Sequence, residues 1–303
     1  MVKKKIHFMG FLTNTDASIL QLNMEYGFEI RALSQKEALD FIIEVRKCSQ
    51  MDASGILYMQ YRCLNSQEKQ VYIISNSIET DTKTVGNKLF NIIARFDNKV
   101  VNGYLYPTFR LMRLFKEGDI RIPLVYWYRI RNGKPIPFIT MASSKSVSPE
   151  PYHLESKELK KLYTFLQDTK LPFKEAFLQL AFENFERSYE ISNIGLAFLT
   201  LMISLETLLN PSGSELRYRI SRNAAVLLGT TLKKSKEISK EIKELYDKRS
   251  KVVHTGKSNV IKRDDLLKLR YYVRESIKKM YTMRRGKGEI LDRLNSCGFR
   301  TKV

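Results

Sequence analysis

The hydrophobic periodicity of this 303-residue chain changes at a polar segment, residues 142–151, that is rich in serine and proline. Before this segment, short runs of alternating apolar and polar residues are separated by turn residues, which is typical of β-strands. After it, apolar residues recur at intervals of three to four, which is typical of amphipathic helices. The sequence therefore predicts an α+β protein, with a strand-rich N-terminal domain over residues 1–145 and an all-α helical bundle over residues 153–303.

The strand pattern of the first half resolves into separate elements. A tight turn is predicted at Asn132-Gly133, because a type I′ turn needs two residues with positive φ. This turn joins residues 122–131 and 136–141 into a hairpin. Trp127 in the first strand is expected to pack in the core rather than to stack on a base. The other candidate strands are residues 6–12, 27–33, 56–63 and 70–75, and the candidate helices are residues 34–47 and 85–96.

The second half carries start and stop signals for a series of helices. Predicted helices cover residues 155–167, 172–188, 193–209, 233–253 and 263–283. One more helix begins at a capping box of Ser212 and Glu215 and ends at Gly229. The longest apolar stretch, residues 194–209, is short for a membrane span and is interrupted by polar residues. It predicts a buried core helix, and we expect no membrane partner.

The charge of the chain favours a polyanionic partner. The formal net charge is +20, and residues 213–303 hold 25 Lys and Arg against 10 Asp and Glu. Such an excess is typical of proteins that bind nucleic acid, although it can also serve solubility. RNA is the partner that we predict.

The cysteines and the N-terminus favour a cytoplasmic location. Cys48, Cys63 and Cys297 form neither a disulfide pattern nor a metal-binding spacing. The apolar run at residues 6–12 is too short for a signal peptide and is better read as a strand. No glycine-rich phosphate loop or metal-ligand cluster stands out, so no cofactor is expected.

The segment 246–256, YDKRSKVVHTG, combines residues that suit RNA cleavage. RNA carries its own nucleophile, the ribose 2′-OH, so cleavage needs proton transfer and stabilisation of the phosphorane charge. The imidazole of histidine ionises near neutral pH and moves protons, and the fork of arginine matches phosphate oxygens. Arg249 and His254 are the candidate catalytic residues, and the hydroxyl of Ser250 can orient either partner.

The spacing of this segment also has a plain structural interpretation. Positions i and i+5 of an ideal helix lie about 140° apart, so Arg249 and His254 converge only where the helix loosens or the arginine reaches across. His254 is equally suited to the negative end of a helix dipole, with Arg249 as one charge on a solvated face. Spacing alone leaves both interpretations open.

Three segments together resemble the Apea-like HEPN domains, over residues 153 to about 285. They are residues 205–211 (LETLLNP), residues 219–229 (RISRNAAVLLG) and residues 245–256 (LYDKRSKVVHTG). The last matches the family signature of an arginine, a polar residue, a spacer and a histidine. Serine stands at the polar position, where asparagine or histidine is more frequent in the family.

The resemblance implies a helical bundle that forms a homodimer, with the two signature segments facing each other. Many members are metal-independent endoribonucleases that leave a cyclic phosphate and a 5′-OH, and several act in anti-phage defence or abortive infection. Arg249 then stabilises the phosphate, His254 transfers a proton and Ser250 supports them, while Lys248, Lys251 and Lys257 bind RNA. The N-terminal domain is expected to sense a trigger or to position the substrate. A catalytically silent RNA- or nucleotide-binding module is the alternative.

A carboxylate on the apolar helix needs a partner. Glu206 is expected to form a structural ion pair with Arg219 or Arg222 of the next helix, in preference to a catalytic role.

Overall fold

The computed structural model describes residues 3–47, 70–81, 87–142, 151–210 and 215–297. It confirms the predicted α+β class: an antiparallel sheet forms in the N-terminal part, and helices dominate the C-terminal half. The chain divides into two compact units, one that continues to Thr169 and one that runs from Lys170 to Val303. The predicted linker lies almost entirely outside the described residues.

The first unit contains a five-stranded sheet in the order β2-β3-β1-β4-β5, with all neighbouring strands antiparallel. The central position of β1 follows from its sequence, because Phe8 and Phe11 are fully buried on opposite faces. Four further predicted strands are also confirmed, whereas the candidate strand 56–63 lies outside the described residues. The strand bounds are β1 Lys3–Thr13, β2 Glu29–Ser34, β3 Gln70–Asp81, β4 Arg121–Arg131 and β5 Lys134–Ala142.

The β4–β5 hairpin confirms the turn prediction. Asn132 and Gly133 have φ angles of +52° and +74°, so both adopt the left-handed conformation of a type I′ turn. Trp127 of β4 is fully buried and makes edge contacts with Phe8 and Phe96 at 5.1 and 5.5 Å between ring centroids. It packs in the core, as predicted.

Helices cover both faces of the sheet. Helix α1, Gln35–Lys47, packs on one face and buries Ala38 and Ile42. The other face meets α2 Asn87–Phe96, a π-helical segment Asp97–Leu105 and α3 Tyr106–Phe115. The last two were not predicted, because Gly103 and Pro107 interrupt the sequence signal. Pro107 lies in the first turn of α3, where a missing backbone N–H costs little.

Helix α4, Leu159–Asp168, belongs to the first unit, although we predicted a helical domain that begins at residue 153. Leu162 is fully buried in the sheet's larger core cluster. The Tyr163 hydroxyl accepts a hydrogen bond from the Asn23 amide at 2.7 Å, and the Phe165 ring lies 5.7 Å from that of Phe115. These contacts with residues distant in sequence place the helix, and local periodicity does not report them.

The second unit is a helical bundle whose predicted ends are largely confirmed. Gly229 and Gly256 follow their helices as C-caps, and residues 263–283 form one helix. The predicted capping box is not found: Ser212 lies outside the described residues, and Glu215 is itself the N-cap of the helix that starts at Leu216, without a side-chain capping bond. The last helix was not predicted, since glycines flank its start. The helices are α5 Ala176–Arg187, α6 Ile194–Leu209, α7 Leu216–Leu228, α8 Leu232–Thr255, α9 Arg263–Met283 and α10 Lys287–Ser296.

Helix α6 lies in the bundle core, but one of its faces is exposed. Phe198 and Leu205 are fully buried, as predicted for a core helix. The Ser204 hydroxyl donates to the Ala181 carbonyl of α5 at 2.7 Å, which satisfies it inside the core. Leu196 and Ile203, in contrast, are 56% and 50% exposed.

Candidate functional site

Helix α8 carries the whole predicted catalytic segment as continuous helix. Its last turn is intact, since the Gly256 N–H donates to the Val252 carbonyl at 2.9 Å, and Gly256 has φ +69°. The helix does not loosen between Arg249 and His254, which therefore lie about 140° apart around its axis. Ser250 and His254 share a side, being four residues apart. Within one protomer, Arg249 therefore does not lie on the same face of α8 as Ser250 and His254.

Arg249 pairs with Glu206, which corrects the predicted partners of this carboxylate. The Arg249 Nε lies 3.5 Å from Glu206 Oε1, and the side chains are 28% and 21% exposed. Arg219 and Arg222 form no ion pair with Glu206. The antiparallel crossing of α6 and α8 brings the two charged residues together, and only tertiary packing sets this contact.

The Arg249 guanidinium keeps its hydrogen-bonding capacity. Within the described part of the chain, its N–H groups have no hydrogen-bond acceptor, and the Nε contact with Glu206 at 3.5 Å is an ion pair only. The guanidinium carbon lies 5.6 Å from the centroid of the Tyr246 ring one turn earlier. An arginine held by an aromatic ring and a carboxylate, with donors to spare, is suited to an incoming oxyanion.

Glu206 sits in an environment that opposes its ionisation. Its Oε1 is buried and has no hydrogen-bond partner among the described residues. Burial raises the pKa of Glu206, and the positive charge of Arg249 offsets this only in part. Burial and the neighbouring Glu206 charge also raise the pKa of Tyr246. The surroundings of Glu206 therefore favour its neutral form.

We expect Glu206→Gln to melt at a higher temperature than the wild type at pH 8. Folding raises the pKa of Glu206 above its ordinary value of 4.5, so the carboxyl ionises more easily in the unfolded chain. The free energy of unfolding therefore falls as the pH rises above 4.5. The difference in melting temperature between Glu206→Gln and the wild type should shrink as the pH falls towards 4.5. Thermal melts between pH 4 and 8 measure it, with the exposed Glu244→Gln on α8 as the matched control. A lower melting temperature at pH 8 would contradict the assignment.

His254 lies in the last turn of α8 and is exposed. The Thr255 hydroxyl donates to the Lys251 carbonyl at 2.6 Å and so helps to close the helix. Ser250 is partly buried. This setting keeps the imidazole accessible to a ligand, and it is also the setting of a histidine at a helix C-terminus, the structural alternative.

The three lysines predicted to bind RNA differ in their surroundings. Lys248 forms an ion pair with Asp265 of α9 at 2.6 Å, so its ammonium is already engaged. Asp265 also accepts from the Lys262 amide at the start of that helix. Lys251 and Lys257 are exposed and lie on either side of His254. These two are the better placed to meet a phosphate.

Arg222 holds a structural position. Its guanidinium donates to the carbonyls of Leu294, Asn295 and Cys297 at 2.8–3.1 Å. These carbonyls end α10 and lack partners within the helix. The arginine therefore caps the last helix of the bundle and does not take part in the candidate site. Arg219 is partly buried on the same helix, α7.

A second basic surface on α8 was missed by the sequence analysis. Lys236, Lys240 and Lys243 lie on one side of the helix and line a groove of about 440 Å³ with Arg217. Arg217 itself makes two short contacts with the Asp247 carboxylate, at 2.6 and 2.7 Å. The spacing i, i+4, i+7 of the lysines was the available signal.

Exposed apolar residues flank the Arg249–Glu206 pair. Ile203 lies one turn before Glu206 on α6 and is 50% exposed. Val253 lies one turn after Arg249 on α8 and is 51% exposed. Both helices thus present an uncovered apolar side chain next to the ion pair.

The described residues offer no candidate metal site and no candidate membrane span. They contain no group of three or more His, Cys, Asp and Glu side chains placed to hold a metal ion. None of the helices they form is both long and apolar enough to cross a bilayer.

Comparison with known proteins does not assign the chain to a family. No protein-family model matches the sequence. No curated protein and no solved structure matches it either. The HEPN resemblance therefore stays a prediction, and the functional argument depends on the geometry around Arg249, Glu206 and His254.

Proposed function

We propose that this chain is a metal-independent endoribonuclease of the HEPN type that acts as a homodimer. The observation that carries the proposal is the Arg249 guanidinium, which is partly exposed, lies beside Glu206 and Tyr246, and has no hydrogen-bond acceptor among the described residues. These donors are open to an incoming ligand, and a phosphate oxygen has the charge and geometry to accept hydrogen bonds from them. The cysteines and the N-terminus favour a cytoplasmic location, and the resemblance implies a role in anti-phage defence or abortive infection.

The proposed chemistry needs only the RNA and side chains of this protein. The 2′-oxygen attacks the adjacent phosphorus and loses its proton to a base, and the bond from phosphorus to the 5′-oxygen breaks. The leaving 5′-oxygen takes up a proton, so the products are a 2′,3′-cyclic phosphate and a 5′-OH. An imidazole at His254 can perform a proton transfer, and Arg249 stabilises the charge on the phosphorane oxygens.

A dimer resolves the separation of Arg249 and His254 within one protomer. The two residues flank a stripe of α8 that contains Ser250 and the exposed Val253. A twofold axis along this stripe sets Arg249 of one protomer opposite the partner's His254, because such an interface uses the same patch twice. Exposed Ile203 and Val253 supply apolar surface for the contact.

The charge distribution supports RNA as the substrate. Lys251 and Lys257 are exposed beside His254, and the second basic surface continues along α8 through Lys240 and Lys243. Cations along one helix can follow the spacing of phosphates on a strand and release counterions on binding. Binding should therefore weaken steeply as the salt concentration rises.

A catalytically silent RNA-binding module is the second candidate. The observation that favours it is the pairing of Arg249 with Glu206 together with the placement of His254 on another side of a continuous helix. A protein that only binds RNA needs no convergence of these two residues. Its basic surface can be the same.

A cleavage assay in the presence of a chelator separates the two candidates. We expect the wild-type protein to cut a panel of RNAs and to leave 2′,3′-cyclic phosphate and 5′-OH ends, and His254→Ala to lose this activity. If the wild type and His254→Ala leave every RNA intact but retain it at low salt, the binding module is correct. If neither retains RNA at low salt, both candidates fail.

A further inference from the structure

The N-terminal unit contains a positively charged groove that the proposed nuclease site does not use. The groove has a volume of about 520 Å³ and lies at the end of the sheet where β1 begins and β4 approaches the hairpin turn. Volumes of this size accommodate small-molecule ligands. Its lining includes Lys4, Arg129 and Arg131.

Lys4, Arg129 and Arg131 lie on the same face of the sheet. Arg129 and Arg131 are two residues apart on β4, so their side chains leave the same face of the sheet. Phe8 of β1 is paired with Trp127 of β4, and Lys4 and Arg131 each lie four residues away along their own strand, on the same face. The pairing of β1 with β4 ends at His7 and Tyr128, so Lys4 and Arg131 lie beyond the paired residues, where both line the groove. Cations that line one groove repel each other, and an anion between them offsets this repulsion.

These cations have no acidic partner in the part of the chain that the structure describes. Lys4, Arg129 and Arg131 form no ion pair with a described residue. Lys5 also lines the groove and is paired with Glu79 of β3. The excess of positive charge extends to His7, whose pKa is lowered by burial and by the charges of Lys5 and Arg31.

Apolar side chains complete the groove. Leu89 of α2 and Phe138 of β5 line it beside the cations, and Phe138 is 36% exposed. An exposed ring next to a cluster of cations matches a ligand that joins a flat, weakly polar group to an anion. A nucleotide has this composition, since bases stack on aromatic rings and phosphates bind arginine.

We propose that this groove binds the phosphate of a nucleotide, with Arg129, Arg131 and Lys4 on the phosphate and Phe138 against the base. The phosphate belongs either to a free nucleotide or to a unit of an RNA strand. The chemistry of recognition is the same for both sources. The proposal does not depend on cleavage, because it concerns binding in the other unit.

Binding of ATP and of a ten-nucleotide single-stranded RNA to the full-length protein tests the proposal. The His254→Ala background keeps the RNA intact. We expect Arg129→Ala/Arg131→Ala to weaken binding of at least one ligand by about tenfold or more, as expected for the loss of charge-assisted hydrogen bonds. Lys36→Ala/Lys99→Ala removes two exposed cations of the same unit outside the groove and should bind like the parent.

The outcomes distinguish the two phosphate sources. A loss confined to ATP identifies a free nucleotide, and a loss confined to RNA identifies a strand. The proposal is wrong if the parent binds neither ligand, or if the groove variant binds both as tightly as the control variant. Lys4→Gln, at an exposed position near the start of β1, should weaken binding in the same direction and covers the case in which the double variant does not fold.

Discussion

Replacing Arg249 with alanine should lower RNA cleavage by about 100- to 1,000-fold, the usual cost of losing a group that stabilises charge in the transition state. The fold should survive. Because the pKa of Glu206 is already raised by burial, this carboxyl can take up a proton instead of remaining as an unpaired buried charge. Initial rates of cleavage of a labelled RNA, together with far-UV circular dichroism and a thermal melt, measure both halves of this expectation.

Two further variants separate the functions of the guanidinium. Arg249→Lys keeps the positive charge but loses the planar fork, so we expect it to recover only part of the activity. Arg293→Ala removes an exposed arginine of α10 and should cleave like the wild type. Loss of the helical signal in Arg249→Ala would identify a structural arginine, and full activity in this variant would exclude it from the site.

Mixing Arg249→Ala with His254→Ala should restore cleavage, although each variant alone is inactive. In a dimer whose two sites each take Arg249 from one protomer and His254 from the other, a heterodimer of the variants has one intact site and one doubly damaged site. Random exchange makes half of the dimers heterodimers, so about a quarter of the wild-type activity is expected. Cleavage is measured after the protomers have been exchanged and heterodimers quantified by differential tags.

The same mixture also reports the opposite outcome clearly. A site built within one protomer gives no recovery, because each chain then contributes a damaged site of its own. If heterodimers form in the expected proportion but cleavage does not recover, the two residues do not come from different protomers, and the proposed shared site is wrong. A chain that stays monomeric by light scattering at the assay concentration, yet cleaves RNA, would do the same. The double variant Arg249→Ala/His254→Ala mixed with itself is the inactive control.

Sequence signals predicted the elements whose determinants are local. The Asn132-Gly133 turn needs two positive φ angles, and its residue types supply them wherever the hairpin lies. Gly256 ends α8 for a comparable reason, since the left-handed C-cap favours glycine. The helix from 263 to 283 was predictable because its apolar residues keep one period throughout.

Elements with interrupted local signals were missed or misassigned. The helical run from residue 97 to 115 contains Gly103 and Pro107, and α10 begins between two glycines. Helix α4 has a clear helical pattern, but the pattern does not reveal that Leu162 packs under the sheet. Periodicity reports which face of an element is apolar, but it does not report which surface covers that face.

The candidate site divides in the same way. The sequence by itself predicted that Arg249 and Ser250 lie on one helix, with His254 just past its predicted end, and that Glu206 needs a cationic partner. Only the tertiary structure decided that this partner is Arg249, that Arg222 caps α10 and that Lys248 is engaged by Asp265. The physical reason is range: helix formation, turns and caps depend on residues within about one turn of each other, whereas an ion pair depends on how distant helices cross, which packing of the whole core sets.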